Sequence, residues 1–193
     1  MLSLDALIRE AEVAHGHLCA GPILGVRLAM LGLARLGIED PRGKDRKRLV
    51  TFVEIDRCAT DAIGVVTGCR LGKRALKFRD WGKMAATFID LETGKAIRVA
   101  AKESSKQLAR ELHPEIENKN QQQMLAYREM KDDDLFSTQW VRVELPAEEF
   151  PGYKGERIVC AECGEGINFR REVQRDGKVV CRACAGEKYY KSV

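Results

Sequence analysis

The sequence predicts an α+β fold with a mainly antiparallel sheet and packed helices, followed by a small C-terminal zinc ribbon. Three observations lead to this prediction. Apolar residues recur at helical spacing near the N-terminus, short strand-like segments separated by turn residues follow, and two pairs of cysteines lie near the end of the chain. A length of 193 residues is sufficient for one hydrophobic core plus a small satellite module.

Two helices are expected at the N-terminus. Between residues 4 and 14 the apolar side chains repeat at three- and four-residue spacing, as in an amphipathic helix. The second helix, from Pro22 to about Leu36, is apolar on nearly every face, which predicts burial on most sides. Its small residues share one face: Gly25, Ala29 and Gly32. We expect a second copy of the chain to cover this face in a symmetric homodimer.

Helices and strands then follow in an order typical of an α+β protein. The predicted strands cover residues 49–55, 76–79, 84–90, 96–99 and 138–145. The predicted helices cover residues 60–67, 102–112 and 115–130. A Leu-Glu-Thr-Gly-Lys turn at residues 91–95 joins two of the strands as a hairpin, which favours antiparallel pairing.

A linker is expected at residues 146–155, where two prolines, two glycines and two glutamates cluster. It divides the chain into a core at residues 1–147 and a module at residues 156–193. The module is too small to be stabilised by its own hydrophobic core, so it needs a staple, that is, a bound metal ion or a covalent cross-link.

The staple is predicted to be zinc held by Cys160, Cys163, Cys181 and Cys184. Two Cys-x2-Cys pairs separated by 17 residues match the spacing of four-cysteine zinc sites, which are closed and structural. Residues 168–174 and 178–180 are expected to form a hairpin, and residues 182–191 a short closing helix. The alternative is four unliganded thiols in redox pairs. Basic residues and two tyrosines make nucleic-acid binding by this module conceivable but not favoured over protein docking.

Composition excludes several classes of protein. The chain has 33 Lys and Arg against 29 Asp and Glu, a net charge of +4, which is too small to indicate nucleic-acid or anionic-membrane binding by itself. No segment is long and apolar enough to span a membrane, and no signal peptide is evident, so we expect a cytoplasmic protein. Seven cysteines, an odd number, argue against a disulfide scaffold.

The second informative motif is His-Gly-His-Leu-Cys at residues 15–19. In an extended loop His15, His17 and Cys19 point to the same side, and these side chains bind soft or borderline metals. Cys19 also precedes a helix N-terminus, where the helix dipole favours the thiolate. The alternative is that a histidine caps the first helix and the cysteine is buried by packing.

A further cysteine, Cys58, is predicted where a strand ends and a helix begins. Convergence with His17 and Cys19 would produce an open three-ligand site, in which these residues are the candidates for catalysis. His15, also a candidate metal residue, would support this site together with Asp61 and Cys69.

Three runs of residues resemble the E-subunit family of formylmethanofuran dehydrogenase. They are His-Gly-His-Leu-Cys-Ala-Gly at 15–21, Cys-Ala-Thr-Asp-Ala-Ile at 58–63 with Thr-Gly-Cys-Arg-Leu-Gly-Lys at 67–73, and Asp-Trp-Gly-Lys-Met-Ala at 80–85. The resemblance covers about residues 4–145, and a zinc tail is a common addition in that family. Ala20 departs from the pattern, since the family usually has proline there.

The resemblance implies an α+β core that dimerises and holds a second divalent metal, zinc or another transition metal, in a His/Cys site. It also implies a link to one-carbon chemistry, the reduction of CO2 to the formyl level in methanogenesis, and to the other subunits of a molybdenum or tungsten oxidoreductase. Lys83 is a candidate for contact with an anionic cofactor or ligand, although Gly-Lys pairs are also common in solvated turns.

Three functions therefore remain open. The first is a metal-binding accessory or catalytic module of a redox or one-carbon enzyme. The second is a zinc-finger regulator that binds nucleic acid or a transcription complex, with the core as a metal or ligand sensor. The third is a structural protein with two metal staples.

Overall fold

The computed structural model describes residues 1–191 and has the predicted α+β architecture. Its helices are α1 (Leu4–His15), α2 (Ala20–Leu36), α3 (Cys58–Thr67), α4 (Ser104–Leu112), α5 (Lys119–Glu129) and α6 (Asp132–Leu135). Its strands are β1 (Leu49–Val53), β2 (Leu76–Phe78), β3 (Ala85–Asp90), β4 (Ala96–Ala101), β5 (Phe136–Val141), β6 (Ile158–Val159), β7 (Gly166–Ile167), β8 (Val173–Arg175) and β9 (Lys178–Val180). By its internal contacts the chain divides into two units, residues 1–143 and a second unit that begins at Glu144.

The first unit contains a five-stranded sheet in the order β2-β1-β3-β4-β5. Three of its four strand pairs are antiparallel, and β1 and β2 pair in parallel, with Thr51 opposite Leu76. Parallel neighbours need a crossover connection, and α3 supplies it. The sheet is therefore mixed but mainly antiparallel, and Cys58 lies where β1 passes into the crossover helix.

Helix α2 lies at the centre of the hydrophobic core and contacts α1, α3, α5 and the sheet. Its small-residue face is filled within the same chain. A Cβ at Gly25 would lie 2.5 Å from the Ala59 carbonyl oxygen, and the Phe88 ring occupies the space beside Gly32. Since Ala29 is also fully buried, this face gives no reason to expect a second copy of the chain. The homodimer itself remains a prediction.

Side chains far apart in sequence fix α2 against α5. Arg27 donates hydrogen bonds from Nη1 to the carbonyl oxygen of Tyr127 at 2.7 Å and from Nη2 to that of Met130 at 2.8 Å, near the end of α5. Asn120, at the start of α5, accepts a hydrogen bond from the Ala20 amide at 3.0 Å. These bonds satisfy helix-end groups that would otherwise lack partners. They also hold the beginning of α2, and with it Cys19, in place.

The second unit contains two small hairpins, β6–β7 and β8–β9. The predicted β8–β9 hairpin is present, and its two-residue turn has positive φ at both Asp176 (51°) and Gly177 (75°), as right-twisted hairpins prefer. The closing helix predicted at residues 182–191 is wrong. Turns replace it, because the chain bends around the second cysteine pair and Gly186 takes φ of 110°.

The predicted domain limits, 1–147 and 156–193, differ slightly from the observed division, because the expected linker falls inside the second unit. They remain predictions for the protein in solution. Within residues 1–191, no helix combines the length and the hydropathy needed to cross a bilayer.

Candidate metal centres

The first candidate centre is built at the junction of α1 and α2. Helix α1 ends at His15, and Gly16 follows in the left-handed region with φ of 89° while its amide donates to the Glu12 carbonyl oxygen. This sharp turn returns the chain past His17 to Cys19, which is the N-cap of α2. A residue with a side chain would be strained at position 16.

The turn brings three ligand-type side chains together. The donor atoms of His15, His17 and Cys19 all lie within 4.8 Å of one another. The two imidazole rings have centroids 4.6 Å apart. His17 is exposed and Cys19 is half-buried, so the cluster is open to solvent on one side. The structure thus brings together the three side chains that the sequence expects on one side of the loop, whereas ligation by them and by Cys58 remains a prediction.

Asp61 orients the His15 ring. The His15 Nδ1 atom lies 2.8 Å from a carboxylate oxygen of Asp61, in α3. Because an ionised carboxylate can only accept, Nδ1 carries the proton and Nε2 keeps its lone pair. That Nε2 atom is buried and finds no hydrogen-bond partner among residues 1–191. A buried polar atom normally has a partner, and the carboxylate–histidine arrangement is the one that metal-bound histidines use.

This geometry revises the role expected for His15. The sequence predicts direct ligation by His17, Cys19 and Cys58 and places His15 in support. The structure favours His15 as a direct ligand, since one of its ring nitrogens lies within 4.8 Å of the donor atoms of His17 and Cys19, its Nδ1 is held by Asp61, and its buried Nε2 has no hydrogen-bond partner among residues 1–191. Asp61 takes the supporting role that the sequence suggests for it.

Cys58 lies beside Cys19 but outside the three-residue group. A Cβ placed on Gly21 would be 3.6 Å from the Cys58 sulfur and 3.7 Å from the Cys19 sulfur, so both thiols border the same small space. Burial raises the pKa of the Cys19 thiol, the Gly21 amide opposes this, and the neighbouring Cys58 thiol raises the pKa further. The helix start, which the sequence predicts to favour the Cys19 thiolate, is therefore outweighed by burial and by the neighbouring thiol.

Glycines one helical turn apart in α2 allow this approach. A Cβ at Gly21 would be 2.9 Å from the Cys58 Cβ, and one at Gly25 would be 2.8 Å from the Ala59 Cα. The N-terminus of α3 therefore rests directly on the backbone of α2. In the sequence, Gly21 carries no signal of this role beyond its place in the first motif.

Two other predicted residues lie apart from the cluster. Cys69 is 3% exposed, accepts a hydrogen bond from the Thr51 hydroxyl at 3.6 Å and donates one to the Leu49 carbonyl oxygen at 3.7 Å. Burial raises the pKa of this thiol, which is typical of a packed core cysteine. Lys83 is exposed, and its ammonium lies 5.8 Å from the centroid of the Trp81 ring. Its role in binding an anionic ligand remains a prediction.

The second centre is the four-cysteine cluster of the C-terminal unit. The sulfurs of Cys160, Cys163, Cys181 and Cys184 lie within 4.8 Å of one another. Both Cys-x2-Cys pairs form the same turn, with Gly164 N–H donating to the Cys160 carbonyl oxygen and Ala185 N–H to that of Cys181. This knuckle geometry lets two thiolates face one ion.

The four thiols differ in acidity. Backbone amides of Cys163 and Cys181 lower the pKa of Cys160 to about 6, whereas the Cys181 side chain and burial raise the pKa of Cys184 to about 12. Four thiolates cannot share one small space without a cation, because they repel one another. The cluster fits structural zinc, whose ligands must all be deprotonated.

Models of two known families match this chain. The family described as "FmdE, Molybdenum formylmethanofuran dehydrogenase operon" matches residues 14–137, and the "Prokaryotic dksA/traR C4-type zinc finger" matches residues 153–190. These matches cover the His/Cys cluster and the four-cysteine cluster, respectively.

Two known proteins resemble this chain over nearly all of its length. A "Probable S-adenosyl-L-methionine-binding protein" of Archaeoglobus fulgidus is 31% identical over 209 aligned positions, which cover 96% of this chain but 54% of the relative. The chain therefore spans about half the length of that relative. An FmdE-like protein of the tungsten formylmethanofuran dehydrogenase type, from Syntrophus aciditrophicus, has the same fold, with a TM-score of 0.66 and 20% identity, over 98% of this chain and 96% of the other.

Proposed function

This chain belongs to the FmdE family, and we propose that its core is a transition-metal-binding module of redox or one-carbon chemistry, joined to a zinc-finger unit. The observation that carries the proposal is the buried, unpartnered Nε2 atom of His15. It belongs to a cluster with His17 and Cys19, and Asp61 holds the opposite nitrogen.

The donor set fits a borderline divalent metal. Imidazole and thiolate ligands suit zinc and related transition metals. The cluster consists of His15, His17 and Cys19 and contains no carboxylate. These three residues would hold the ion, and Cys58 borders the space beside Cys19 at Gly21. Three protein ligands leave a position for a substrate or for water, and a zinc ion there lowers the pKa of bound water to about 7 or polarises a carbonyl group.

The residues of the chain have separate tasks in this proposal. Asp61 accepts the Nδ1 proton of His15 and so fixes the tautomer and the direction of Nε2. Asn120 holds the first amide of α2 and thereby the position of Cys19. Cys58, half-buried at the N-terminus of α3, can act as a thiol nucleophile or as an exchangeable ligand.

The assignment to reduction of CO2 to the formyl level rests on the description of the family. We propose that the chain acts there as an accessory or catalytic module, as a homodimer, or with other subunits of a molybdenum or tungsten enzyme. The Archaeoglobus relative is named for S-adenosyl-L-methionine, but that protein is about twice as long, so its ligand is not assigned to this chain.

Metal analysis of the freshly purified full-length protein tests the core site. We expect two metal equivalents per chain in the wild type and one in His15→Ala. His113→Ala is the matched control, because this histidine pairs with Glu115 and Glu129 instead. If His15→Ala retains both equivalents with the wild-type affinity, the proposed core site is wrong.

The second candidate function is that of a regulator that docks through its zinc finger. The dksA/traR match favours it, and so does the surface of the unit, where Arg182 is exposed and Tyr189 is 97% exposed. Nucleic-acid binding that weakens steeply with added salt would support this function. Binding with no such dependence, or none at all, would favour the metal-dependent module.

A further inference from the structure

We propose that Cys19 and Cys58 form a metal-gated redox pair: they join as a disulfide when the core metal is absent, and the metal protects them when it is bound. The gating half of this inference rests on the proposed core metal site. The pairing half rests only on the positions of the two thiols.

The two sulfurs border a common space that a side chain would fill. A Cβ on Gly21 would be 3.6 Å from one sulfur and 3.7 Å from the other, and 2.9 Å from the Cys58 Cβ. The Cys58 thiol also raises the pKa of the Cys19 thiol, as expected for two sulfurs that lie close together. Glycine at position 21 therefore keeps open the volume in which two sulfurs can meet.

Both thiols are placed for thiol–disulfide exchange. Cys19 is the N-cap of α2 and Cys58 is the first residue of α3, so the two sulfurs lie at neighbouring helix starts. Both are partly exposed, unlike Cys69, which is 3% exposed and hydrogen-bonded to β1. A small oxidant can reach the pair and is excluded from Cys69.

The reaction needs a disulfide oxidant, and a low-molecular-weight disulfide such as oxidised glutathione supplies it. One cysteine thiolate attacks a glutathione sulfur, which breaks the glutathione S–S bond and releases one glutathione thiol. The second cysteine thiolate then attacks the mixed disulfide and releases the other glutathione thiol. The protein pair loses two electrons and two protons, and the glutathione disulfide gains them.

Metal binding and disulfide formation exclude each other because both require the Cys19 sulfur. A Cys19 thiolate that ligates a metal cannot at the same time be half of a disulfide. By mass action, metal at 100 times its dissociation constant lowers the free form, and with it the rate of oxidation, about 100-fold. The site would thus respond to metal supply and to redox conditions together.

Peptide mapping of the full-length protein tests the pair. Chelator-treated protein is incubated with oxidised glutathione, remaining thiols are blocked by alkylation, and trypsin digestion follows. We expect a cross-linked species that joins peptide 10–27 to peptide 58–70, lighter by two hydrogen atoms than the sum of the reduced peptide 10–27 and the peptide 58–70 alkylated only at Cys69. Peptide 58–70 also contains Cys69, so Cys69→Ser is the matched control and should keep the cross-link. Cys58→Ser should lose it.

The outcomes separate this inference from the proposed function. If a cross-link forms in protein that binds no core metal, the inference of a redox pair stands and the proposed metal site is wrong. Core metal binding without a cross-link, or with glutathione attached singly to Cys19 or Cys58, would overturn the redox pair. A cross-link that forms equally fast with and without bound core metal would overturn the gating. The melting temperature of each variant, measured alongside, shows that a lost cross-link does not reflect an unfolded core.

Discussion

The two candidate metal centres both use cysteine sulfur, but they differ in the size of the hydrophobic core that holds their residues. In the C-terminal unit, the buried apolar cluster consists of Cys160, Ile167 and Val180, and one of these is itself a ligand. In the first unit, the His/Cys cluster lies at the edge of a large hydrophobic core that includes α1, α2, α3 and the sheet. We therefore expect zinc to be part of the fold in the C-terminal unit, whereas the first unit should fold without the proposed core metal.

The largest expected effect is on the C-terminal unit. Cys163→Ser removes one of four zinc ligands, and in such small modules zinc binding contributes about 10–16 kcal/mol to the folded state. We expect loss of one metal equivalent and rapid proteolysis of the chain beyond residue 144, with the first unit intact. Metal stoichiometry and limited proteolysis with mass spectrometry measure both. Protease resistance equal to the wild type would mean that the unit folds without its metal.

Cys19→Ser is expected to have the opposite pattern. It removes a ligand from a site that a preformed core supports, so core metal should be lost while the fold and the tail zinc remain. The melting temperature should change by only a few degrees, since Cys19 is half-buried and serine is close to cysteine in size. Full metal content in this variant would show that Cys19 is not a ligand and that the motif at residues 15–19 serves packing.

These two centres also differ in how far the sequence predicts them. The C-terminal centre can be predicted from four cysteines at a fixed spacing, because its ligands, its turns and its hairpin all lie close together in the sequence. The core site cannot be predicted in this way, because its geometry depends on contacts between distant segments. Asp61 contacts His15, 46 residues away in the sequence, and Asn120 contacts Ala20, 100 residues away. The motif at residues 15–19 predicts the cluster, but no local pattern indicates that Asn120 or Gly21 would place it.

The exact start of α3 and the packing partners of α2 are also not evident from the sequence. The sequence predicts that the third helix starts at Thr60, but it begins at Cys58, which puts that thiol in the first turn, against the backbone of α2. The small-residue face of α2 suggests a surface for a second copy of the chain, but Ala59 and Phe88 of the same chain fill it. A small-residue face predicts close approach by a neighbour, and only the tertiary structure identifies that neighbour.

Asp61→Asn sharpens the comparison without removing a ligand. The amide cannot accept the His15 proton with the strength of a carboxylate, so Nε2 should be a poorer and less well oriented donor. Loss of such a supporting group typically weakens metal binding about 10–100-fold. Stability should change by less than about 0.5 kcal/mol, because Asp61 is 57% exposed.

Competition with a coloured chelator measures the core affinity of this variant. Asp56→Asn is the matched control, since it removes the same charge from an exposed position shortly before α3 and should leave affinity unchanged. Equal weakening in both variants would show that Asp61 acts through general charge, and no weakening in either would remove it from the site.

Two glycine substitutions test how the core supports its site. In Gly25→Ala the new methyl would lie 2.5 Å from the Ala59 carbonyl oxygen, so α3 must move, at a cost of about 1–3 kcal/mol. In Gly64→Ala, the nearest atom is the Cys69 carbonyl oxygen at 3.4 Å, so the gain in helix propensity of about 0.5–1 kcal/mol should offset most of the crowding. Chemical denaturation measures both free energies of unfolding.

Because displacement of α3 carries Cys58 and Asp61 with it, Gly25→Ala should also weaken core metal binding, whereas the zinc of the C-terminal unit should be unaffected in both variants. Gly25→Ala with wild-type stability and metal affinity would mean that the α2–α3 contact does not position the site.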